Sequence, residues 1–187
     1  MNIKLQINNL LARTGYKITK ADPAETMTRR GWDNMMMEDH RSLVTGNVLD
    51  AGSGNSGWSK DMFGNQCSLI TFDQFNDVNI DISGDLTKLS SYFTPEQFDV
   101  VICMEVMEHV AQPFKVIEEI RAVLKPGGIL LATTPFEHGL HGEDYGDYFR
   151  YTRQGWQQLL LNFSEVKEIK WLGPEERPKQ YFVYAVK

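Results

Sequence analysis

Val48-Leu49-Asp50-Ala51-Gly52-Ser53-Gly54-Asn55-Ser56-Gly57 is the stretch that decides the fold of this 187-residue chain. Two apolar residues lead into an acid, and glycines then alternate with small polar residues. This order predicts a buried strand that breaks into a glycine-rich turn and leads into a helix. Glycine permits positive φ and close approach of the backbone to a ligand, and a helix N-terminus offers free N–H groups. The stretch therefore indicates a site for a nucleotide-like cofactor.

Two nucleotide-binding interpretations of this turn can be compared with its residues. A phosphate loop needs a Gly-Lys-Ser/Thr ending, which is not present. The spacing Gly52-x-Gly54-x-x-Gly57 matches the dinucleotide fingerprint, and Asp73 ends the next apolar run at about the expected distance. Asp50 argues against a dinucleotide, because an acid at the strand tip would repel a pyrophosphate and attract a cationic ligand with an amino group. An NAD(P)-binding dehydrogenase stays as an alternative.

At these residues the chain resembles the class I S-adenosylmethionine-dependent methyltransferases, particularly the type 11 group. The matching segments, in order, are 48–54, 72–73, 81–86, 98–110, 124–131 and 147–152. One departure from the family lies in the turn, where Asn55 and Ser56 place Gly57 three residues after Gly54 instead of two. The departure predicts a cofactor loop that is one residue longer.

The resemblance implies S-adenosylmethionine as the cofactor and assigns roles to several acids. Asp73 would hold the ribose hydroxyls, and a carboxylate is chemically suited to accept both of them. Asp85 would face the adenine amino group, with Leu86 against the ring. The complete set of implied cofactor-binding residues is Asp50, Gly52, Gly54, Gly57, Asp73, Gln74, Asp85, Leu86, Met104 and Glu105.

Strand and helix signals alternate from Gly46 onward, which predicts an α/β fold with a parallel sheet. Strands are expected at about 48–51, 68–72, 99–103, 128–133, 166–172 and 181–186, and helices at 32–41, 113–123 and 153–161. Phe114, Ile117, Ile120 and Val123 form the expected apolar face of the second helix. The last two strands should pair antiparallel, because a short turn joins them. The resemblance implies a Rossmann-like methyltransferase fold: a mostly parallel seven-stranded sheet with helices on both faces and a C-terminal antiparallel hairpin.

The expected domain organisation is an N-terminal helical cap or lid over residues 1–45 and a single cofactor-binding core over residues 46–187. Ile3 to Leu11 has amphipathic spacing and predicts a short helix. This helix could be a lid over the cofactor, a homodimer contact, a cover on the substrate side or a cap on the sheet.

Polar residues after the fourth and fifth strands are the candidates for chemistry. Methyl transfer to a hydroxyl needs alignment of the acceptor and removal of a proton. His109 and His141 are the predicted catalytic residues, because imidazole titrates near neutral pH. On a helical start, Glu105, Glu108 and His109 would share one face.

These residues also form a candidate divalent-cation site, completed by His141 or His138. The Glu-x-x-Glu-His pattern also resembles methyltransferases that use Mg²⁺ to hold vicinal hydroxyls. The preferred interpretation has no metal. In that interpretation Glu105 contacts the cofactor and His109 orients the acceptor.

Composition and charge restrict the partners. The formal net charge of −6 argues against non-specific nucleic-acid binding, which needs a basic surface. No apolar run has the length of a membrane span and no secretory signal opens the chain, so we expect a cytoplasmic protein without a membrane partner. Cys67 and Cys103 lie in or beside apolar runs, which predicts free thiols.

The leading prediction is O-methylation of a small-molecule acceptor, such as a sugar or metabolite hydroxyl. The histidine-rich stretch 133–152 favours this prediction, because a long loop after the fifth strand is suited to an acceptor pocket. One alternative is a methyltransferase acting on an RNA 2′-hydroxyl or a protein side chain. Another is a regulatory module that binds the cofactor without catalysis.

Overall fold

The structure, a computed structural model, describes residues 27–187 and is built on one seven-stranded sheet. The strands are β1 Asn47–Ala51, β2 Ser68–Asp73, β3 Ile82–Ser83, β4 Phe98–Met104, β5 Leu124–Pro135, β6 Glu165–Leu172 and β7 Gln180–Val186. The helices are α1 Arg29–Asp39, α2 Trp58–Phe63, α3 Pro113–Val123 and α4 Arg153–Leu159. Short 3₁₀ segments occur at Arg41–Leu43, Leu86–Ser91 and Met107–His109. The predicted helix Ile3 to Leu11 lies outside the described residues.

The strands are ordered β3-β2-β1-β4-β5-β7-β6 across the sheet. β1 pairs in parallel with β2 and β4, and β4 pairs in parallel with β5. β7 runs antiparallel to both β5 and β6. The predicted α/β fold, mostly parallel with an antiparallel C-terminal pair, is confirmed. The strand order changes direction between β1 and β4, and ligands of open α/β sheets bind at the carboxyl ends of the strands beside such a point.

Helices cover both faces of the sheet. Neighbouring residues of each central strand point to opposite faces, so each face has its own apolar core. Leu49 and Val101 belong to the core that also contains the buried face of α3 and α4. Val48 and Val100 belong to a second core, which includes Trp32 of α1. Burial on both faces explains why these strands are continuous apolar runs. None of the helices in the described part of the chain is both long and apolar enough to span a membrane.

The starts of two elements differ from prediction by three residues or more. α1 begins at Arg29, three residues before the expected start, because Thr28 caps it: its Oγ1 accepts a hydrogen bond from the Gly31 N–H at 3.1 Å. β5 begins at Leu124, which pairs with Phe98 before the register shifts.

The predicted apolar face of α3 is wrong at one residue. Phe114 is 61% exposed. The buried stripe instead contains Pro113, Val116, Ile117, Ile120 and Val123. Phe114 follows Pro113 directly, so the rotation of about 100° per residue places its side chain off the stripe.

Candidate active site

The glycine-rich turn connects the carboxyl end of β1 to α2. Gly52 has φ +87°, and a Cβ added there would overlap the side chain of Val106. Gly54 has φ +58°, but no heavy atom of residues 27–187 lies within 4 Å of its Cβ position. Gly52 is therefore required by packing, whereas Gly54 faces open space at the predicted cofactor edge. The N–H groups of Gly52 and Ser53 donate to the Phe72 carbonyl at 2.7 and 3.1 Å, which fastens the turn to β2.

The extra residue of the turn has a defined place. Asn55 accepts a hydrogen bond at its carbonyl from Asn79 Nδ2 at 2.7 Å, so the segment between β2 and β3 supports the loop. Gly57 has φ +71° and is the N-cap of α2. The loop therefore continues as far as Gly57 before the helix can begin.

Two buried acids lie beneath this turn. Asp50 is 3% exposed, and burial raises its pKa to about 7, with a hydrogen bond from Ser59 opposing the shift and Asp73 adding to it. Asp73 accepts hydrogen bonds from the N–H groups of Gly54 (2.9 Å) and Phe75 (3.1 Å). These bonds fix the Asp73 carboxylate at the end of β2 and leave lone pairs for further donors.

The remaining predicted cofactor residues lie on both sides of the turn. Asp85 caps the 3₁₀ segment Leu86–Ser91, because its Oδ1 accepts from the N–H and hydroxyl of Thr87 at 2.9 and 2.7 Å. Those bonds lower the pKa of Asp85. Gln74 accepts at its carbonyl from the Ser83 hydroxyl. Leu86 and Met104 are half-buried against the two cores. Their contacts with a cofactor stay predictions.

Glu105 follows β4 directly and has φ +56°, so it does not begin a helix. Its carboxylate accepts hydrogen bonds from Arg29 at 2.7 Å, from Thr133 Oγ1 at 3.1 Å and from Gln180. The expectation that Glu105, Glu108 and His109 share one helical face is wrong. The positive φ turns the chain at Glu105, and only Met107–His109 form a 3₁₀ turn.

Glu108 is fully buried, and within the described residues neither of its carboxylate oxygens has a hydrogen-bond partner. Burial raises its pKa to about 8. Oε1 lies 3.6 Å from Nε2 of His109 and 4.0 Å from Nε2 of His141. The structure thus brings the two predicted catalytic histidines together around a buried acid that sequence reasoning placed with Glu105.

The orientation of His109 is set by its other nitrogen. Nδ1 lies 2.5 Å from the carbonyl oxygen of Gly146, which can only accept, so Nδ1 carries the proton. Nε2 is then the free, basic nitrogen. Burial lowers the pKa of His109, which favours the neutral ring.

The loop after β5 is fastened to the segment after β4. Tyr148 N–H donates to the Glu108 carbonyl at 2.7 Å, and the Tyr151 hydroxyl donates to the Met107 carbonyl at 2.9 Å. Asp147 accepts from the His141 N–H at 2.9 Å and pairs with Arg150. This pairing holds the pKa of Asp147 well below its usual range. The ion pair therefore shapes the loop that presents His141.

Aromatic rings connect the candidate cofactor residues after β2 with the two histidines. The Tyr145 ring packs edge-on against His109 at 4.6 Å between centroids and contacts Phe75 at 6.0 Å. Phe75 lies just after β2, beside Asp73. His138, which is exposed, lies 5.0 Å from His141. The candidate cofactor residues and the candidate catalytic residues therefore share one edge of the sheet.

Sequence reasoning missed Arg29, Asp33, Thr133 and Gln180. One signal was available: Arg29 and Asp33 are four residues apart and share one face of a helix that also buries Trp32 and Met36. Gln180 stands alone before an apolar strand, and nothing in its neighbourhood along the chain marks it.

Comparison with known families shows which family the chain belongs to. Residues 7–175 match the family described as "Methyltransferase domain". The chain belongs to this family. Its structural neighbours include S-adenosylmethionine-dependent methyltransferases of the class I, Rossmann-like fold. The predicted family is confirmed, and the dehydrogenase alternative is discarded.

Curated relatives of this methyltransferase include ubiquinone biosynthesis O-methyltransferases. That of Histophilus somni is 51% identical over 39 residues, or 21% of this chain and 16% of that protein. That of Paraburkholderia phymatum is 28% identical over 152 residues, or 63% of this chain and 65% of that protein. The chain thus spans less than two thirds of the length of these relatives.

Solved structures share the fold of this methyltransferase at low identity. The 1,6-didemethyltoxoflavin-N1-methyltransferase of Burkholderia thailandensis, with bound S-adenosylhomocysteine, has a TM-score of 0.67 at 13% identity, covering 100% of this chain and 91% of that one. A methyltransferase from Aquifex aeolicus has a TM-score of 0.62 at 17% identity, covering 82% and 88%. The [4+2]-cyclase SpnF has a TM-score of 0.68 at 14% identity, covering 98% and 96%. These similarities show the fold, not the acceptor.

Proposed function

We propose that this methyltransferase transfers the methyl group of S-adenosylmethionine to a hydroxyl of a small molecule. The observation that supports this most is the pair of imidazoles, His109 and His141, around buried Glu108 at the edge of the sheet where the glycine turn lies. A hydroxyl acceptor must lose a proton during transfer, and this edge offers free imidazole nitrogens.

The proposed reaction needs one displacement and one proton transfer. The acceptor oxygen forms a bond to the methyl carbon as the carbon–sulfur bond breaks, and S-adenosylhomocysteine leaves as a neutral thioether. The proton of the hydroxyl passes to an imidazole. His109 suits this task because Nδ1 donates to the Gly146 carbonyl, so Nε2, which lies 3.6 Å from Glu108 Oε1, is the nitrogen that can accept a proton. Alignment of acceptor and methyl group supplies most of the remaining acceleration.

The curated relatives support a small oxygen acceptor, since their printed names describe O-methyltransferases of ubiquinone biosynthesis. The Burkholderia thailandensis neighbour, named as an N1-methyltransferase, keeps a nitrogen acceptor as an alternative. The acidic net charge of −6 counts against an RNA acceptor.

The test is release of S-adenosylhomocysteine from a panel of acceptors. The purified chain is incubated with S-adenosylmethionine and phenols, sugars, small amines or RNA. Turnover with a phenol or sugar, accompanied by mass gain on oxygen, supports the proposal. Turnover with amines alone or RNA alone contradicts it. Tight cofactor binding without turnover on any acceptor favours the non-catalytic module.

Transfer assisted by a divalent cation is a second candidate, favoured by one observation: Glu108 is buried, and its carboxylate oxygens have no hydrogen-bond partner among the residues that the structure describes. Ligand atoms of Glu108, His109 and His141 lie within 4.8 Å of one another, a spacing that fits one divalent cation. A bound cation would act as a Lewis acid toward the acceptor oxygen. Two imidazoles and one carboxylate suit a transition ion better than Mg²⁺. Glu105, which belongs to the cation site expected from the sequence, is not in this set, because its carboxylate is directed toward Arg29 and Gln180.

Calorimetric titration with Mn²⁺, Zn²⁺ and Mg²⁺, on the wild type and on Glu108→Gln, tests the cation. Binding of Mn²⁺ or Zn²⁺ that is lost in the variant supports it. Full turnover in the presence of a chelator, without cation binding, removes the cation and leaves the imidazole base.

A further inference from the structure

A polar network joins α1 to the carboxyl ends of β4 and β5 and to the start of β7. We call it the Glu105 network, and its members are Arg29, Asp33, Glu105, Thr133 and Gln180. Three separate elements donate to the Glu105 carboxylate: α1 through Arg29, β5 through Thr133 and β7 through Gln180. The proposed chemistry does not use these donors.

Gln180 is fully buried and lies at the centre of the network. Its amide nitrogen donates to Asp33 Oδ1 at 3.0 Å and to the Glu105 carboxylate. Its amide oxygen accepts from Arg29 Nη1 at 3.1 Å. An amide is a neutral group that can donate to two carboxyl groups while accepting from a guanidinium. A glutamate of the same size could not replace it, since an ionised carboxylate only accepts.

The left-handed backbone conformation of Glu105 explains why these donors are needed. A non-glycine residue at φ +56° is in the left-handed region, and such a conformation persists only where the surroundings over-determine it. The Glu105 N–H donates to the Thr133 carbonyl at 3.0 Å, and the three side-chain donors hold the other end of the residue. Both ends of Glu105 are therefore fixed at the cofactor edge.

The charges of the network balance in one protonation state. Arg29 is cationic and lies 2.7 Å from Glu105. Burial, with the nearby Glu105 adding to it, raises the pKa of Asp33 to about 8, so Asp33 is largely neutral at pH 7. One guanidinium then faces one carboxylate.

We propose that Gln180 is a positioning residue that holds the Glu105 carboxylate in place at the cofactor edge of the sheet, and that Arg29 and Asp33 make α1 part of this support. The inference rests on the proposed function, because it takes Glu105 as a contact of S-adenosylmethionine. Gln180 itself acts through Glu105 and does not touch the cofactor.

A double-mutant cycle on cofactor affinity tests the proposal. S-adenosylmethionine binding is measured by calorimetry for the wild type, Gln180→Met, Glu105→Gln and the double variant. We expect Gln180→Met to weaken binding about tenfold, which is the size of one lost hydrogen bond to a charged group. In the Glu105→Gln background the same change should cost less than about twofold, because coupled residues are not additive. Gln180→Glu should weaken binding more than Gln180→Met, since it places a third carboxyl group against Glu105 and Asp33.

Controls separate positioning from folding. Gln157→Met makes the same change on the exposed face of α4 and should leave affinity unchanged. Thermal unfolding identifies variants that fail to fold. If Gln180→Met fails, Arg29→Met replaces it in the same cycle, because Arg29 is partly exposed and bonds to the same carboxylate.

The outcomes are distinguishable. A wild-type chain that binds no S-adenosylmethionine overturns the proposed function itself. Unchanged affinity in Glu105→Gln, with the wild type binding normally, overturns only the positioning role. An equal loss from Gln180→Met in both backgrounds shows that Gln180 acts through the fold and also overturns it.

Discussion

Gly52 and Gly54, two residues apart in one turn, have different roles. Among the described residues, Gly52 closely approaches a neighbouring side chain, that of Val106, and Gly54 approaches none. We expect Gly52→Ala to lower the free energy of unfolding by about 3 kcal/mol, because left-handed strain and overpacking combine. Gly54→Ala should cost only about 1 kcal/mol in stability. It should weaken cofactor binding more than Gly52→Ala does, since its Cβ would project into the space predicted for the cofactor. Urea unfolding and calorimetry measure both. Equal loss of stability in the two variants would contradict the distinction.

We expect Asp50 to make cofactor affinity depend on pH. Its pKa is raised to about 7, so the carboxyl ionises as pH rises through neutrality. A cationic cofactor binds the ionised form better, so affinity should increase from about pH 6 to about pH 7.5, by less than the tenfold per pH unit allowed for one proton. Asp50→Asn should flatten this increase. A wild-type affinity that is constant over the same range would show that Asp50 does not interact with the cofactor's charge.

His141 and His138 form a matched pair for testing catalysis, because their rings are in contact but only His141 is close to Glu108. We expect His141→Ala to lower kcat about 100-fold, the lower end of the range for general acid–base catalysis, because His141 faces Glu108 together with the proposed base His109. Affinity for S-adenosylmethionine should stay largely intact. His138→Ala should change kcat by less than about threefold. Steady-state kinetics with the best acceptor measures both, and unchanged turnover in His141→Ala removes it from the catalytic residues.

At the scale of the element, we expect α1 to make the free energy of unfolding depend on pH through Asp33. Its pKa in the folded chain is raised from 3.8 to about 8, so the folded state holds a proton that the unfolded state releases. Stability from this residue is therefore lost as pH rises from about 4 to about 8, at up to about 1.4 kcal/mol per pH unit.

Asp33→Asn removes that proton but keeps an oxygen for Gln180. The variant should therefore gain stability relative to the wild type between pH 5 and pH 8, by about 1 kcal/mol or more. Unfolding in urea at the two pH values measures the difference. A difference that stays constant with pH would mean that Asp33 is ionised throughout.

The elements themselves were largely predictable, and the exceptions have local causes. Apolar runs of four to seven residues located the central strands, because burial on both faces leaves no alternation to confuse them. The start of α1 was missed because its Thr28 cap stands before charged residues instead of an apolar run. The turn at Glu105 was missed because left-handed backbone at a glutamate has no signature in the sequence.

The candidate site was predictable at the scale of one strand end but not across strands. Asp50 lies in β1, the glycines follow β1 directly, and Asp73 ends β2. Because β1 and β2 are parallel neighbours, the sequence predicted that these residues converge. The division of Glu105 and Glu108 between two networks did not follow, since it depends on Gln180, which is 75 residues from Glu105.

At the scale of the whole molecule, cofactor binding should stabilise the entire fold. A ligand at 100 times its Kd adds about 2.7 kcal/mol to the free energy of unfolding if it binds only the folded state. We expect S-adenosylmethionine to raise the Tm of the wild type and to raise that of Asp73→Ala much less at the same concentration. Thermal unfolding with and without ligand measures this. An equal rise in both proteins would show that the cofactor does not depend on the acid at the end of β2.

The antiparallel course of β7 has a consequence for synthesis. Because β7 runs opposite to β5, its first residue, Gln180, is the one paired with Pro135 at the edge of the sheet that holds the candidate site. Arg29 and Gln180 are 151 positions apart, so the ribosome has synthesised the first six strands before this contact can form. A nascent chain can collapse around β1, β2 and β4 long before then, yet Glu105 still lacks one of its partners. Under the proposed role of Gln180, we expect competence to hold the cofactor to come late in translation, because a chain released before residue 180 lacks both Gln180 and the strand that joins β5 to β6.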